Sequence, residues 1–186
     1  ETTYIETIVK RLTAAGYAVE RHVVNCADFG VPQLRERFIL IATARGIDFK
    51  WPVPKYFAHP ESWQRPYATL ADVISDLMDP ATHNADFSHV PMDHKELVVE
   101  RYKLIPEGGR LPEGALPERL RTGYRSDNVK NFSHGYRRLS MSKPATTMVP
   151  GHNAFPVHPV LNRTLTAREA ARIQPFPDWF RFIGTR

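Results

Sequence analysis

Apolar residues recur at helical spacing in only a few places along this chain, and the first lies near its start. In TTYIETIVKRLTAAGYAVERHVV, Ile5, Ile8, Val9 and Leu12 share one helical face, Thr3 and Glu6 suit a capping box, and Gly16 suits the C-terminal stop. A strand is predicted over residues 17–24. After a polar turn over residues 28–33, an apolar run over residues 38–44 has the pattern of a strand covered on both faces. Helix, strand, turn, strand is an α/β fragment, too few strands to close a sheet, and the expectation is a unit cut from something larger.

From Trp51 the texture changes. Most of the sixteen prolines lie beyond it and periodic runs become rare, which places a boundary near residue 50 and divides the chain into 1–50 and 51–186. Within the second part TLADVISDLMD predicts one short helix over 69–79, with Leu70, Val73, Ile74 and Leu77 on a face. The stretch ERYKLIPEGGRLPEGALPERLR reads as turn and loop. Near the end, NRTLTAREAARIQPFPDWF carries the Thr166-x-x-Glu169 capping box, a Leu165/Ala170 staple and Pro175 as a stop, predicting a helix over 167–174. Arg168 and Arg172 share one of its faces, suited equally to solvent or to phosphate.

Composition narrows the classes. The chain is 42% hydrophobic and 24% charged, so it should fold. No apolar run approaches the roughly 18 residues of a membrane span, and no basic, apolar leader is read at residue 1. With a single cysteine, Cys26, an internal disulfide and a multi-Cys metal site are excluded, which fits a reducing, cytoplasmic setting. His89 and His94 are too loosely placed for a zinc site, so no metal is expected. The formal charge of +5 is uneven: residues 101–186 hold fifteen Lys/Arg against six Asp/Glu. Between Arg119 and Lys143 the cations are interleaved with Tyr124, Phe132, His134 and Tyr136. That mixture suits phosphates and base faces, although a solvated loop on a basic protein has the same composition.

The residues with the clearest chemistry are in NCADFGVPQLRERF. In an extended chain Arg35 and Arg37, two apart, project together as a fork of guanidiniums, suited to a phosphate or a base carbonyl oxygen. Structural ion pairs at an exposed strand end would use the same fork.

The wording around the fork resembles the Asn-Ala-Ala-Asp-Tyr-Gly-Val-Pro-Gln-x-Arg-x-Arg segment of the DNA cytosine-5 methyltransferases. RTLTAREAARIQPFPDWF resembles their later Arg-x-Leu-Thr-x-Arg-Glu-x-x-Arg-x-Gln-x-Phe-Pro-Asp segment. The order and separation match too, so the resemblance spans nearly the whole chain.

What the resemblance implies is a two-lobed enzyme. Residues 1–50 would be the end of a Rossmann-like lobe that binds S-adenosylmethionine, and 51–186 a small, mixed α+β, loop-rich target-recognition domain, incomplete at its C-terminal end. The target cytosine is flipped out of double-stranded DNA, a cysteine thiolate adds to C6, and C5 takes the methyl group. By the same match Arg37 reaches the cytosine near O2, Arg35 lies close to the DNA backbone and active site, and Gln33 is the motif's glutamine. The segment YRRLSMSKPATTMVPGHN resembles the recognition segment: Thr147 and Met148 match its DNA-contacting pair, Arg137 and Arg138 suit guanine edges or phosphates, and Gly151 with Asn153 would let a loop approach the groove. Arg163, Thr166, Arg168, Glu169, Arg172 and Gln174 would mainly organise the lobe.

The family's Pro-Cys-Gln, Glu-Asn-Val, cofactor-loop and closing Gly-Asn-Ser-Val segments do not occur in these 186 residues. Cys26 stands where the family usually has alanine and reads as a small buried side chain. The expectation is therefore the C-terminal portion of a bacterial restriction-modification methyltransferase, itself inactive, binding no cofactor, and partnered by DNA and the enzyme's N-terminal part. A non-catalytic DNA-binding module, one subunit of a split enzyme, and an unrelated basic interaction domain are the alternatives.

Overall fold

The computed structural model describes residues 3–84, 86–112, 114, 116–121, 136–148 and 155–184. Helix α1, Tyr4–Ala14, begins where the sequence places it: the Thr3 hydroxyl accepts from the Glu6 N–H and the Glu6 carboxylate accepts from the Thr3 N–H. Gly16 takes a φ of +92°, the left-handed conformation that glycine adopts without penalty, and turns the chain into strand β1, Ala18–Asn25. A 3₁₀ turn over Cys26–Phe29 leads to the short strand β2, Gln33–Leu34, and then to β3, Glu36–Thr43.

Strands β1 and β3 form a two-stranded antiparallel sheet, with Val23 opposite Phe38 and Val24 opposite Arg37. Here the expectation of a strand covered on both faces is corrected. Val23 is 67% exposed and Phe38 46%, because among the described residues no third strand or packed layer covers them.

The packed core lies later in the chain. Leu70, Ile74 and Ile173 are completely buried in one cluster with Leu139, Ala145 and Leu165. Each buried Leu or Ile here contributes about 1.5–3 kcal/mol relative to exposure. The apolar face expected over 69–79 is buried as read, but the helix is not single: α2, Ala71–Ile74, passes into a 3₁₀ turn over Ser75–Met78. The Ser75 hydroxyl donates back to the Ala71 carbonyl at 2.6 Å, a competitor for the helical ladder. A second cluster centres on Tyr102, Ile105, Leu120 and Val157. It includes a helix that the sequence reading missed, α3, Glu96–Lys103, whose buried residues are Arg101 and Tyr102 rather than an aliphatic stripe. A further helical turn, α4, Glu118–Arg121, follows. The final helix, α5, Ala167–Ile173, has both halves of its capping box formed.

Beneath α5 is a buried polar cluster. Glu169 accepts from both Nη groups of Arg163 and lies near His158, whose Nδ1 accepts from the N–H groups of Val160 and Leu161. Burial pushes His158 from its ordinary 6.5 down to about 4, and burial also lowers His89 and His94. The unfolded chain therefore binds protons that the folded chain refuses. Stability is fully present above about pH 6.5 and declines as pH falls toward 4. The urea midpoint should drop across that window, and His158→Asn, whose amide oxygen can still accept from Val160 and Leu161, should flatten the drop.

Candidate nucleic-acid interface

Two stretches far apart in sequence meet at one small piece of sheet. Strand β2 pairs in parallel with β6, Ala145–Thr146, aligning Gln33 with Ala145 and Leu34 with Thr146. The Ala145 N–H donates to the Pro32 carbonyl at 2.8 Å, and the Thr147 hydroxyl donates to the Leu34 carbonyl at 2.8 Å across 113 residues. The Gln-x-Arg-x-Arg stretch and the recognition stretch are thereby joined.

Arg35 leaves this junction half-buried, and its backbone is fully held: its N–H donates to Asn25 Oδ1 at 3.1 Å and its carbonyl accepts from the Cys26 N–H at 3.0 Å. Arg37 is exposed on β3, with Nη1 donating to the Glu36 carbonyl. Among the described residues neither guanidinium pairs with a carboxylate, so the alternative of structural ion pairs is not seen there. Strand alternation is not what unites them, since Arg35 falls in the break between β2 and β3.

Three of the residues expected at DNA are buried instead. Arg138, expected at DNA, is buried, and all five of its N–H donors are spent inside the protein. Nε donates to Ile105 O, Nη1 to His158 O and Leu161 O, and Nη2 to Tyr102 O and Asn162 Oδ1. Arg137 stays half-exposed, with no carboxylate partner among the described residues. Both residues make β-bridges, and successive side chains of an extended backbone point to opposite sides, so burying Arg138 presents Arg137. Met148 is 7% exposed and sits in the core with Leu70 and Ile173, an anchor rather than a contact. Gln33 is wholly buried at the junction, its Oε1 and Nε2 both without a partner among the described residues. Gly151 and Asn153 lie outside the described residues, as do Tyr124, Phe132 and His134.

On α5, Arg168 is buried and donates to the carbonyls of Phe87, Pro177 and Phe180, with its guanidinium 4.5 Å from the Phe87 ring centre. Arg172 pairs with Asp178 and Asp76. Neither is a solvated or phosphate-facing group. Two holding residues were not foreseen. Asn25 could have been found, because an Asn opening a turn commonly accepts from the N–H two residues on, and here Ala27 donates to it. The bond from the Tyr67 hydroxyl to Asp28 at 2.6 Å spans 39 residues and has no sequence signal.

Among the described residues no group of three or more His, Cys, Asp or Glu is placed to hold a metal ion, and no helix is long and apolar enough to cross a membrane. A cavity of about 550 Å³ at the end of α1 is lined by Ala14, Ala15, Gly16, Tyr17, Ala44 and Arg45.

Comparison with known proteins identifies the family. The family model for C-5 cytosine-specific DNA methylase matches residues 1–186. Type II methyltransferase M.NgoFVII of Neisseria gonorrhoeae is 33% identical over 186 residues, covering 97% of this chain and 46% of that protein. Type II methyltransferase M.BbvI of Brevibacillus brevis is 34% identical over 175 residues, covering 92% and 43%. The chain thus spans about half the length of these curated relatives. A crystal structure of a DNA modification methyltransferase encoded within an E. coli prophage shares the fold, with a TM-score of 0.62 at 20% identity over 96% of this chain and 56% of that one. With a family match along its full length, this chain belongs to the C-5 cytosine-specific DNA methylase family.

Proposed function

We propose that the protein, with the sequence that flanks this chain, transfers a methyl group from S-adenosylmethionine to C5 of a cytosine flipped out of double-stranded DNA, as the modification enzyme of a bacterial restriction system. Residues 1–50 are the end of its catalytic lobe and 51–186 most of its target-recognition lobe. The observation that carries the reading is the β2–β6 junction, which brings Thr147 against Leu34, next to two arginines whose charges no described carboxylate neutralises.

In this reading Arg37 donates to O2 of the extruded cytosine. Attack at C6 drives electron density toward that oxygen, so a guanidinium already in place stabilises the transition state more than the ground state. Arg35 is held nearer the sugar-phosphate backbone. Arg137 supplies a guanine-edge or phosphate contact. The hydroxyl hydrogen of Thr147 is committed to Leu34, so Thr147 meets DNA through its methyl side. The recognition segment continues in sequence through Gly151 and Asn153. In this reading Cys26, half-buried in the 3₁₀ turn, is not the nucleophile, and both nucleophile and cofactor site are assigned to sequence outside these 186 residues.

The test is transfer of a labelled methyl group from S-adenosylmethionine to duplex DNA. The product of the full open reading frame should place 5-methylcytosine in one short sequence context, while the 186-residue chain alone should transfer none. A folded full-length protein that methylates no cytosine in any duplex, or an isolated chain that does, would overturn the proposal.

A further inference from the structure

The turn that holds Arg35 is itself gripped from outside. The strap of chain carrying β4, Tyr56–Phe57, and β5, Arg65–Pro66, closes on itself by parallel pairing and by the Tyr67 N–H donating to Phe57 O. It seizes the turn at three points. The Lys55 N–H donates to the Asp28 carbonyl at 2.9 Å, and the Tyr67 hydroxyl donates to Asp28 Oδ1 at 2.6 Å. The Tyr56 ring packs so closely on Gly30, φ +90°, that a Cβ there would stand 2.8 Å from Tyr56 Cε2.

From Asp28 the connection to the arginine is short and continuous. The 3₁₀ turn over Cys26–Phe29 contains Asp28, its Cys26 N–H holds the Arg35 carbonyl, and Asn25 at its head accepts from both Ala27 N–H and Arg35 N–H. Both backbone polar atoms of Arg35 therefore end on the element that Tyr67 grips. On the far side Leu34 is held by Thr147. A turn secured from one side alone could rock about the β2–β6 junction, and the strap removes that freedom. The bond to Asp28, then burial, push the Tyr67 hydroxyl up to about 12, so the donor keeps its proton through neutral and alkaline pH.

We propose that Tyr67 is a positioning residue for Arg35, the first of the two arginines, its hydroxyl fixing through Asp28 the turn on which both backbone bonds of Arg35 end. This rests on the reading of those arginines as the groups that face the flipped cytosine. A hydroxyl that merely stabilised the fold would leave turnover per folded molecule unchanged. One that positions Arg35 acts on turnover, and only while Arg35 is there to be positioned.

The experiment uses the full-length protein with Tyr67→Phe, which keeps the ring and removes only the hydroxyl. Turnover should fall about 3- to 10-fold with KM for DNA unchanged, the size expected from a lost hydrogen bond that loosens an aimed group. In an Arg35→Ala background Tyr67→Phe should cost no further turnover. Hydrogen exchange at the Ala27 and Arg35 amides should quicken in the single variant. Unchanged turnover in Tyr67→Phe, or an equal fall with Arg35 already removed, overturns the inference. If Arg35→Ala and Arg37→Ala themselves keep full turnover, it is the reading of the pair that fails.

Discussion

Under the proposed function, Arg37→Ala is expected to lower methyl transfer by the full-length protein about 100- to 1,000-fold in kcat, the range set by removing one preorganised donor from a developing oxyanion. Affinity for the unmodified duplex changes little, because the interaction matures only as charge reaches O2 of the attacked ring. The expectation rests on where the side chain stands. Arg37 is exposed on β3 opposite Val24, its Nη1 donates to the carbonyl of its own neighbour Glu36, and among the described residues no carboxylate competes for its charge. Arg37→Lys should recover only part of the loss, since an ammonium keeps the charge but not the planar fork. Single-turnover rates with saturating DNA check the prediction, and an alanine variant within about threefold of the parent would remove Arg37 from the chemistry.

What could be read from the sequence was what is local. The two capped helices α1 and α5 were legible because Thr3/Glu6 and Thr166/Glu169 write their signal within four residues. The apolar face around Leu70 and Ile74 was legible from helical spacing alone. Helix α3 was not, because it buries Arg101 and Tyr102, residues that periodicity counts as polar or ambiguous. At the site, the arginines at 35 and 37 could be singled out by type and spacing, and a family resemblance tied them to a base. Which of the neighbours Arg137 and Arg138 turns outward could not. That depends on carbonyls of Tyr102, Ile105, His158 and Leu161, which only the fold collects around one guanidinium. Met148 was misread for the same reason: its neighbours Leu70 and Ile173 are distant in sequence. The Thr147–Leu34 bond and the Tyr67–Asp28 bond had no local signature at all.

The two capping boxes also give the second large prediction, since they are alike in sequence and opposite in surroundings. Glu6 lies in an exposed box, and its replacement by alanine should cost no more than an ordinary cap, about 0.5–1 kcal/mol. Glu169 is completely buried. Besides the Thr166 N–H it holds both Nη groups of Arg163, at 2.8 and 2.7 Å. Burial alone would push its carboxyl up, but Arg163, the Thr166 N–H and His158 together hold it below the ordinary carboxylate value. Glu169→Ala leaves a buried guanidinium with no counter-charge and a helix N–H with no acceptor, at a cost of about 3–5 kcal/mol. Against a typical total of about 5–15 kcal/mol, that loss can empty the native state at growth temperature. Replacing both partners, as Arg163→Met with Glu169→Leu, should cost less than Glu169→Ala alone, because the penalty comes from stranding a charge rather than from losing the pair. Urea unfolding of the three variants separates these terms. Equal losses for Glu6→Ala and Glu169→Ala would mean that the buried ion pair adds nothing to the cap. A double replacement worse than the single would mean that the pair itself, and not its completeness, holds α5 in place.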